Sequence, residues 1–250
     1  MAQKSFIVTG GGSGLGQATA AALIQQGARV TICGRRIEKI ESVAASLGPN
    51  CRAIQGDITL ELDRAKLIEV ALAHGGGLDG LVNNAGNMYR ATIDALDEAR
   101  LLDIFNQNVV AGLMLSKLAV PALEKTQGSI IFLGSIHTRR AFPGGAPYAA
   151  TKAALQTITK VLAAELGPRQ IRVNCVLPGA VLTEINERAG LGDQSEQKAR
   201  LEQLAPLHAL GRSGEPHEVA EAIVYLLNAP WTTGALLDVD GGLGLGIAPF

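Results

Sequence analysis

Residues 6–16 read FIVTGGGSGLG, and the prediction of the fold starts from them. The apolar, β-branched run from Phe6 to Thr9 predicts a buried strand, and the glycines that follow predict a sharp turn into a helix from Leu15. This arrangement places backbone N–H groups and the positive end of a helix where a pyrophosphate can bind. The same glycines would also allow tight packing of the helix on the strand, so the loop alone leaves both interpretations open.

Short strands and longer helices continue to alternate along the chain. Helical segments such as 15–26 and 37–47 end at glycines, and connections of this length require parallel pairing of the strands they join. Several strands are apolar nearly throughout, as in sheets that helices cover on both faces. We therefore predict an α/β, Rossmann-type doubly wound sheet of seven parallel strands, with ligands at the carboxyl ends of the strands. The predicted strands are 6–9, 29–33, 51–55, 81–83, 130–133, 171–177 and 236–239.

The length of the chain and its regular alternation of strands and helices favour a single domain. A single dinucleotide-binding and catalytic domain over 1–250 suits an α/β chain of 250 residues. The polar, Glu/Gln-rich section at 184–216 interrupts the alternation of strands and helices. We expect this section to form a helical lid over the substrate.

Composition argues against several classes of partner. The formal net charge is -1, and no stretch gathers the lysines and arginines that nucleic acid or an anionic membrane would require. No segment reaches the ~18 apolar residues of a membrane span. Cys33, Cys51 and Cys175 are odd in number and lack CxxC or Cys/His spacing, so we expect neither disulfides nor a metal site. A cytoplasmic location fits this pattern best.

The end of the second predicted strand indicates which dinucleotide is preferred. In NAD-binding folds an acidic residue about 20 residues beyond the glycines bonds the ribose 2′-hydroxyl. Here residues 33–36 read CGRR, and the guanidinium groups of Arg35 and Arg36 match a 2′-phosphate in charge and geometry. NADP(H) is therefore predicted to be preferred, with NAD(H) as an alternative. The two arginines would otherwise be a solvated helix start.

Ordered motifs along nearly the whole chain resemble the short-chain dehydrogenase/reductase family. They are TGxxxGxG at 9–16, NNAG at 83–86 and YxxxK at 148–152, with Ser135 thirteen residues before the tyrosine. The resemblance implies an NAD(P)-dependent oxidoreductase of the EC 1.1.1 type that transfers hydride between nicotinamide and a carbonyl or alcohol. Two alternatives stay open on the same fold: a dinucleotide-binding regulator without turnover, and an epimerase or dehydratase.

The resemblance also implies which residues bind the cofactor. Asp57 would accept from the adenine amino group, and the segment 83–86 would lie along the adenosine and stabilise the central sheet. The residues after the sixth strand would receive the nicotinamide carboxamide and a phosphate. The implied cofactor-binding residues are Gly10, Ser13, Gly14, Leu15, Gly16, Arg35, Arg36, Asp57, Ile58, Asn84, Ala85, Gly86, Tyr148, Lys152, Pro178, Gly179, Val181 and Thr183.

The candidate catalytic residues are Asn108, Ser135, Tyr148 and Lys152. Tyr148 and Lys152 are four residues apart in a predicted helix, 147–166, so both project from one face. Hydride reaching a carbonyl carbon requires a proton at the oxygen, and a phenol can supply it. Because the ordinary tyrosine pKa is about 10, we expect the neighbouring ammonium and an oxidised nicotinamide to lower it. By the resemblance, Ser135 orients the substrate oxygen, Lys152 also bonds the nicotinamide ribose, and Asn108 holds a water in a proton relay.

The sequence does not identify the substrate. His137 and Arg139 could contact a polar or acidic substrate or could be solvated, and lid leucines such as Leu191, Leu201 and Leu204 could contact an apolar substrate or pack the lid down. A homotetramer or homodimer is expected from the resemblance, and small apolar positions on one helix suit pairing, with packing on the sheet as the alternative. Those positions are Ala153, Ala154, Ile158, Leu162 and Ala163.

Overall fold

The computed structural model describes residues 3–190 and 192–246, and seven strands there form one parallel sheet. The strands are β1 Ser5–Thr9, β2 Arg29–Gly34, β3 Cys51–Gln55, β4 Gly80–Asn83, β5 Ser129–Leu133, β6 Arg172–Pro178 and β7 Leu236–Val239. Their order in the sheet is β3-β2-β1-β4-β5-β6-β7, and every neighbouring pair is parallel. The predicted Rossmann-type, doubly wound architecture is confirmed.

Helices connect the strands and cover both faces of the sheet. They are α1 Gly14–Gln25, α2 Ile37–Leu47, α3 Glu61–Gly75, α4 Glu98–Phe105, α5 Ala111–Thr126, α6 Ala146–Leu166, α7 Ile185–Arg188, α8 Gln194–Leu204 and α9 Pro216–Asn228. A π-helical turn, Asn106–Val110, joins α4 to α5. None of the helices within the described ranges is long and apolar enough to cross a membrane.

Successive residues of β1 face opposite sides of the sheet and belong to two separate cores. Phe6 and Val8 pack with α1, α2 and α9, whereas Ile7 packs with α3, α5 and α6. All three side chains are buried, and burying each contributes roughly 1.5–3 kcal/mol to folding. The sheet is thus covered on both faces, and ligands have access to its carboxyl edge, where the strand order reverses between β1 and β4.

Several predicted strand ends differ from the structure by one residue. The sixth strand is shifted by one residue, because Pro178 still pairs in register with Val239 of β7. The last helix, α9, begins at Pro216, since proline is favourable at the first helical position and Glu215 and Glu218 form a reciprocal capping box.

The section predicted as a helical lid, 184–216, contains α7 and α8 and a short 3₁₀ turn at Ala205–Leu207. A capping box of Asp193 and Glu196 starts α8. Leu201 and Leu204 line the carboxyl-edge cavity described below. Leu191, the third lid leucine singled out from the sequence, lies outside the described residues.

Candidate active site

One cavity of about 300 Å³ follows the carboxyl edge of the sheet from the glycine loop to Tyr148. Of the residues that the sequence predicts for cofactor binding or catalysis, all but Gly16 and Asn108 line it. Gly16 lies behind the loop, where an added Cβ would overlap the carbonyl oxygen of Gly10. Gly16 therefore allows the close approach of α1 to β1, and it does not itself line the cavity.

The glycine loop has the geometry of a phosphate cradle. Gly10 and Gly14 have φ angles of 65° and 54°, in the left-handed region that favours glycine. An added Cβ at Gly10 would lie 2.9 Å from Asn84 Nδ2, and one at Gly14 would lie 3.2 Å from Thr183 Cγ2. The side chain of Ser13 makes no capping bond to α1, so the first-turn N–H groups of this helix stay available to an anion. These observations fit the pyrophosphate of a dinucleotide.

Thr9 ties the glycine loop to the NNAG segment, a contact that the sequence reading missed. Its Oγ1 accepts hydrogen bonds from the backbone N–H groups of Asn84 (3.0 Å) and Ala85 (2.9 Å) and donates to the carbonyl of Val82. In return, Asn84 Nδ2 donates to the carbonyl oxygens of Thr9 and Gly10 at 2.8 and 3.2 Å. The sequence did contain a signal for these contacts, because Thr9 is a hydroxyl residue at the end of a buried strand, directly before a glycine loop.

Arg35 and Asp57 lie together at the edge of β2 and β3. Arg35 Nη1 is 4.0 Å from Asp57 Oδ2, and the arginine side chain is 59% exposed. Asp57 Oδ1 accepts from both the backbone N–H and the hydroxyl of Thr59. Asp57 thus makes the turn contacts of a strand-end aspartate, while its second oxygen and the Arg35 guanidinium are close enough to recognise one adenosine.

Arg36 has a partner from the predicted lid. Its Nη2 lies 2.5 Å from Glu184 Oε2, and the Nζ of Lys39 lies 3.2 Å from the other oxygen of the same carboxylate. Lys39 also lines the cavity. It follows Arg36 by three residues, a spacing that places the two side chains on one helix face and could have indicated a third cation from the sequence. Glu184 thereby bridges the cavity wall from the segment after β6 to the start of α2.

The candidate catalytic side chains converge at the other end of the cavity. Tyr148 and Lys152 are buried on one face of α6, and Lys152 Nζ lies 5.5 Å from the centre of the Tyr148 ring. The ammonium also donates to the carbonyl of Leu133 at 2.8 Å. Ser135, two residues beyond the end of β5, is near enough to the Tyr148 hydroxyl for hydrogen bonding to favour the phenolate. Three groups that can exchange protons or hydrogen bonds with a substrate oxygen therefore share one buried corner.

Burial dominates the acid–base properties of this corner. It raises the pKa of Tyr148 to about 12, although the hydrogen bond with Ser135 acts in the opposite direction. Burial also lowers the pKa of Lys152 to about 8. In the protein alone burial thus shifts the tyrosine pKa upward, whereas the lowering expected from the sequence also involved an oxidised nicotinamide beside the ring. A phenol held protonated is suited to donate a proton.

Hydrogen bonds within the protein engage both polar atoms of the Asn108 side chain. Its Oδ1 accepts from the N–H of Asn87 at 2.8 Å, and its Nδ2 donates to the carbonyl of Asn87 and to Thr151 Oγ1, both at 3.0 Å. An added Cβ at Gly86 would lie 3.0 Å from this Oδ1 and 3.7 Å from Lys152 Nζ. The amide is thus behind the cavity wall, where it connects the NNAG loop to α6.

The structure separates the two basic residues whose roles the sequence left open. His137 lines the cavity, with Nδ1 3.2 Å from Ser135 Oγ and its ring edge-on to Tyr148 at 5.1 Å. Arg139 instead pairs with Asp238 of β7, Nε to Oδ1 at 3.0 Å. His137 is therefore placed to contact substrate, and Arg139 stabilises the link between the sheet edge and the segment after β5.

Comparisons with known proteins cover nearly the whole chain. A family model described as enoyl-(acyl carrier protein) reductase matches residues 10–244. The chain is 37% identical over 248 residues to the 2,5-dichloro-2,5-cyclohexadiene-1,4-diol dehydrogenase of Sphingobium indicum, covering 96% of both chains.

Two solved structures extend the likeness to three dimensions. A short-chain dehydrogenase/reductase of unknown function from Caenorhabditis elegans, solved with cofactor, has a TM-score of 0.92 at 30% identity and covers 99% of this chain and 97% of that one. The 3-ketoacyl-(acyl-carrier-protein) reductase of Brucella melitensis, complexed with NADH, has a TM-score of 0.89 at 29% identity, with 97% and 99% covered.

The parallel sheet, the glycine loop and these matches define the class: an NAD(P)-dependent oxidoreductase built on a Rossmann fold. Within that class, the chain belongs to the short-chain dehydrogenase/reductase family.

Proposed function

We propose that this protein moves hydride between NADP(H) and a carbonyl or alcohol compound, with Tyr148 as the acid/base. The observation that carries the proposal is a single cavity that joins the glycine loop to the buried side chains of Ser135, Tyr148 and Lys152. A phosphate cradle and a protonated phenol on one continuous wall provide for the cofactor and for the oxygen of the substrate.

Each catalytic side chain has a distinct part in the proposal. The nicotinamide supplies or accepts the hydride when the dinucleotide is bound. Tyr148 gives its proton to the carbonyl oxygen in reduction and takes it back in oxidation, while the Ser135 hydroxyl hydrogen-bonds the same oxygen. Lys152 stabilises the tyrosinate and offers its remaining N–H groups to the nicotinamide ribose. Asn108 acts as a positioning residue, because it holds the loop at Asn87 against α6.

The preference for NADP(H) over NAD(H) is supported by cations at the adenosine end. Arg35, Arg36 and Lys39 all line the cavity there, and a 2′-phosphate would be the group they attract. Arg35→Ala is expected to weaken NADPH at least tenfold more than NADH, a difference of about 1.4 kcal/mol. Equal losses for the two dinucleotides, measured by calorimetry, would refute the 2′-phosphate assignment.

NADPH consumption with a panel of aldehydes and ketones tests the reaction. We expect one alcohol formed per NADPH oxidised, and the reverse reaction with NADP⁺ and alcohols. Conversion of substrate without net NADPH consumption would indicate an epimerase or dehydratase instead. Tight NADPH binding with no turnover in either direction would indicate a regulator.

We also propose a cytoplasmic homotetramer or homodimer with 1–250 as one domain, 184–216 as its lid, and small molecules as its partners. Of the helix positions that suggested pairing, Ala163 is buried in the core and Ile158 and Leu162 pack against it, so these three serve the sheet. Other apolar side chains on that side of the sheet are exposed: Val110 46%, Met114 38%, Leu118 38% and Val161 57%. Light scattering of the purified protein, with Val161→Glu for comparison, measures the assembly.

A further inference from the structure

The part of the cavity near Tyr148 combines an apolar wall with two arginines. Its apolar residues are Met88, Ile136, Phe142, Leu201, Leu204 and Leu243. Arg90, on the loop after β4, and Arg200, on α8, line the same cavity and are only partly exposed. A wall of this kind suits a substrate that has an apolar body and at least one charged end.

Arg200 faces the cavity because of its position on α8. Gln197, Arg200, Leu201 and Leu204 are the residues of this helix that line the cavity, and their spacing of three and four residues places them on one face. Arg90 is held from another direction, since its Nη2 donates to the carbonyl of Pro143 at 2.8 Å. The two guanidinium groups therefore approach one space from separate elements.

The charge of Arg200 acts on Arg90, and the charges of both arginines act on His137. Burial and then the charge of Arg200 lower the pKa of Arg90. Burial, followed by the charges of Arg90 and Arg200, lowers the pKa of His137 to about 4. His137 is thus neutral near pH 7 and serves as a hydrogen-bonding group beside two cations.

The carboxylates of the cavity are engaged elsewhere. Among the described lining residues these are Asp57, which bonds Thr59 and lies 4.0 Å from Arg35, and Glu184, which binds Arg36 and Lys39. Within 3–190 and 192–246, no carboxylate is within 4.0 Å of Arg90 or Arg200. Two partly desolvated like charges with no carboxylate partner in the described part of the chain are costly, and a ligand that brings negative charge removes that cost.

We infer that the substrate is an oxo or hydroxy acid whose anionic group binds between Arg90 and Arg200. Its apolar body packs on Leu201 and Leu204 of α8, and its carbonyl or hydroxyl reaches Tyr148. This inference rests on the oxidoreductase function proposed above for the choice of reacting group. The anion subsite itself rests only on the arrangement of the side chains.

A binding experiment tests the subsite without turnover. The protein, with and without NADPH, is titrated calorimetrically with straight-chain carboxylates from acetate to octanoate and with the matching primary amides. We expect at least one carboxylate to bind tenfold or more tighter than its amide. Arg200→Gln and Arg90→Gln should each remove most of that difference, and Arg200→Lys should remove less. Equal affinity for every acid and amide pair, or a preference that survives both glutamine variants, would overturn the inference.

Arg139→Gln is the matched control. Arg139 is close in sequence to His137, but its guanidinium pairs with Asp238 and it does not line the cavity. The acid preference should persist in this variant, and its loss there as well as in Arg200→Gln would show a general effect of net charge and would count against the subsite.

A turnover experiment separates this inference from the proposed function. Straight-chain oxo acids and their methyl esters are compared as substrates with NADPH. We expect kcat/KM for the favoured acid to exceed that of its ester at least tenfold, and Arg200→Gln to abolish this ratio mainly through KM. Esters reduced as well as acids would refute the anion subsite and leave the oxidoreductase function intact. Selective binding of acids with no turnover of any compound would refute the function and leave the subsite intact.

Discussion

The carboxylate of Glu184 lies 2.5 Å from the Arg36 guanidinium, across the cavity wall at the place where the 2′-phosphate of NADPH is proposed to bind. The same carboxylate holds Lys39 at 3.2 Å. Both cations pull the pKa of Glu184 below its ordinary value against the opposing effect of burial. Ion pairs of Glu184 thus connect the segment after β6 to the start of α2.

Glu184→Gln should tighten NADPH binding. Removing the carboxylate charge frees Arg36 and Lys39 for the phosphate, and since a partly exposed pair of this kind is worth about 0.2–1 kcal/mol, we expect a gain of roughly 1.5- to 5-fold at low salt. NADH affinity should stay constant. Calorimetry measures both, with the exposed Glu187→Gln as the control; a weakened NADPH complex would mean that Glu184 organises the site instead of competing for its cations.

Tyr148→Phe should abolish hydride transfer and leave NADPH affinity within about twofold. Loss of a general acid costs on the order of 10²- to 10⁴-fold in kcat, and phenylalanine keeps the ring that packs beside His137. NADPH oxidation under single-turnover conditions checks the first effect and calorimetry the second. Tyr225, which is 62% exposed on α9, provides the control Tyr225→Phe. Residual activity of more than a few per cent would argue against an acid/base role.

His137 should make the native state sensitive to acid. Its pKa falls from the ordinary 6.5 to about 4 in the folded protein, chiefly through burial. Between these two values the unfolded chain binds a proton that the native protein does not, so stability decreases as the pH falls from 6.5 towards 4, by at most about 1.4 kcal/mol per pH unit.

His137→Gln should flatten this part of the stability profile. Urea unfolding at several pH values between 4 and 7 measures it, with His217→Gln on the exposed side of α9 as the control. If wild type and His137→Gln lose stability in parallel over this range, His137 does not carry the acid sensitivity.

Gly16→Ala should destabilise the protein and weaken NADPH, although Gly16 does not line the cavity. The new Cβ would overlap the Gly10 carbonyl and approach Asn84 Nδ2, so α1 or the loop must move, at a cost of about 1–3 kcal/mol. Gly167→Ala is the matched control, since no atom lies within 4 Å of its added Cβ, and we expect it to be neutral or stabilising by up to about 1 kcal/mol. A Gly16→Ala protein with unchanged melting temperature would contradict the packing role.

Local sequence patterns were sufficient to predict the sheet, its helices and the edge at which the candidate site lies. Hydrophobic periodicity and glycine stops are local properties, and they were enough to predict all seven strands to within one residue at each end. The spacing of Tyr148 and Lys152 determined their shared helix face in the same way. Ser135 could be joined to them because the carboxyl ends of parallel strands meet at one edge.

Which charges meet, and how far burial shifts the pKa values, depends on the tertiary structure. Arg139 was a candidate for the substrate, yet it pairs with Asp238, 99 positions away; Arg36 meets Glu184 across 148 positions. Arg90 and Arg200 come together only because the segment after β6 folds back over the edge of the sheet. Contacts between distant residues depend on loop paths that no local pattern encodes, and the pKa of Tyr148 depends on desolvation by those same contacts. The sequence therefore predicted where the candidate site lies, and the packing of the segment after β6 and of the loops set the electrostatics of that site.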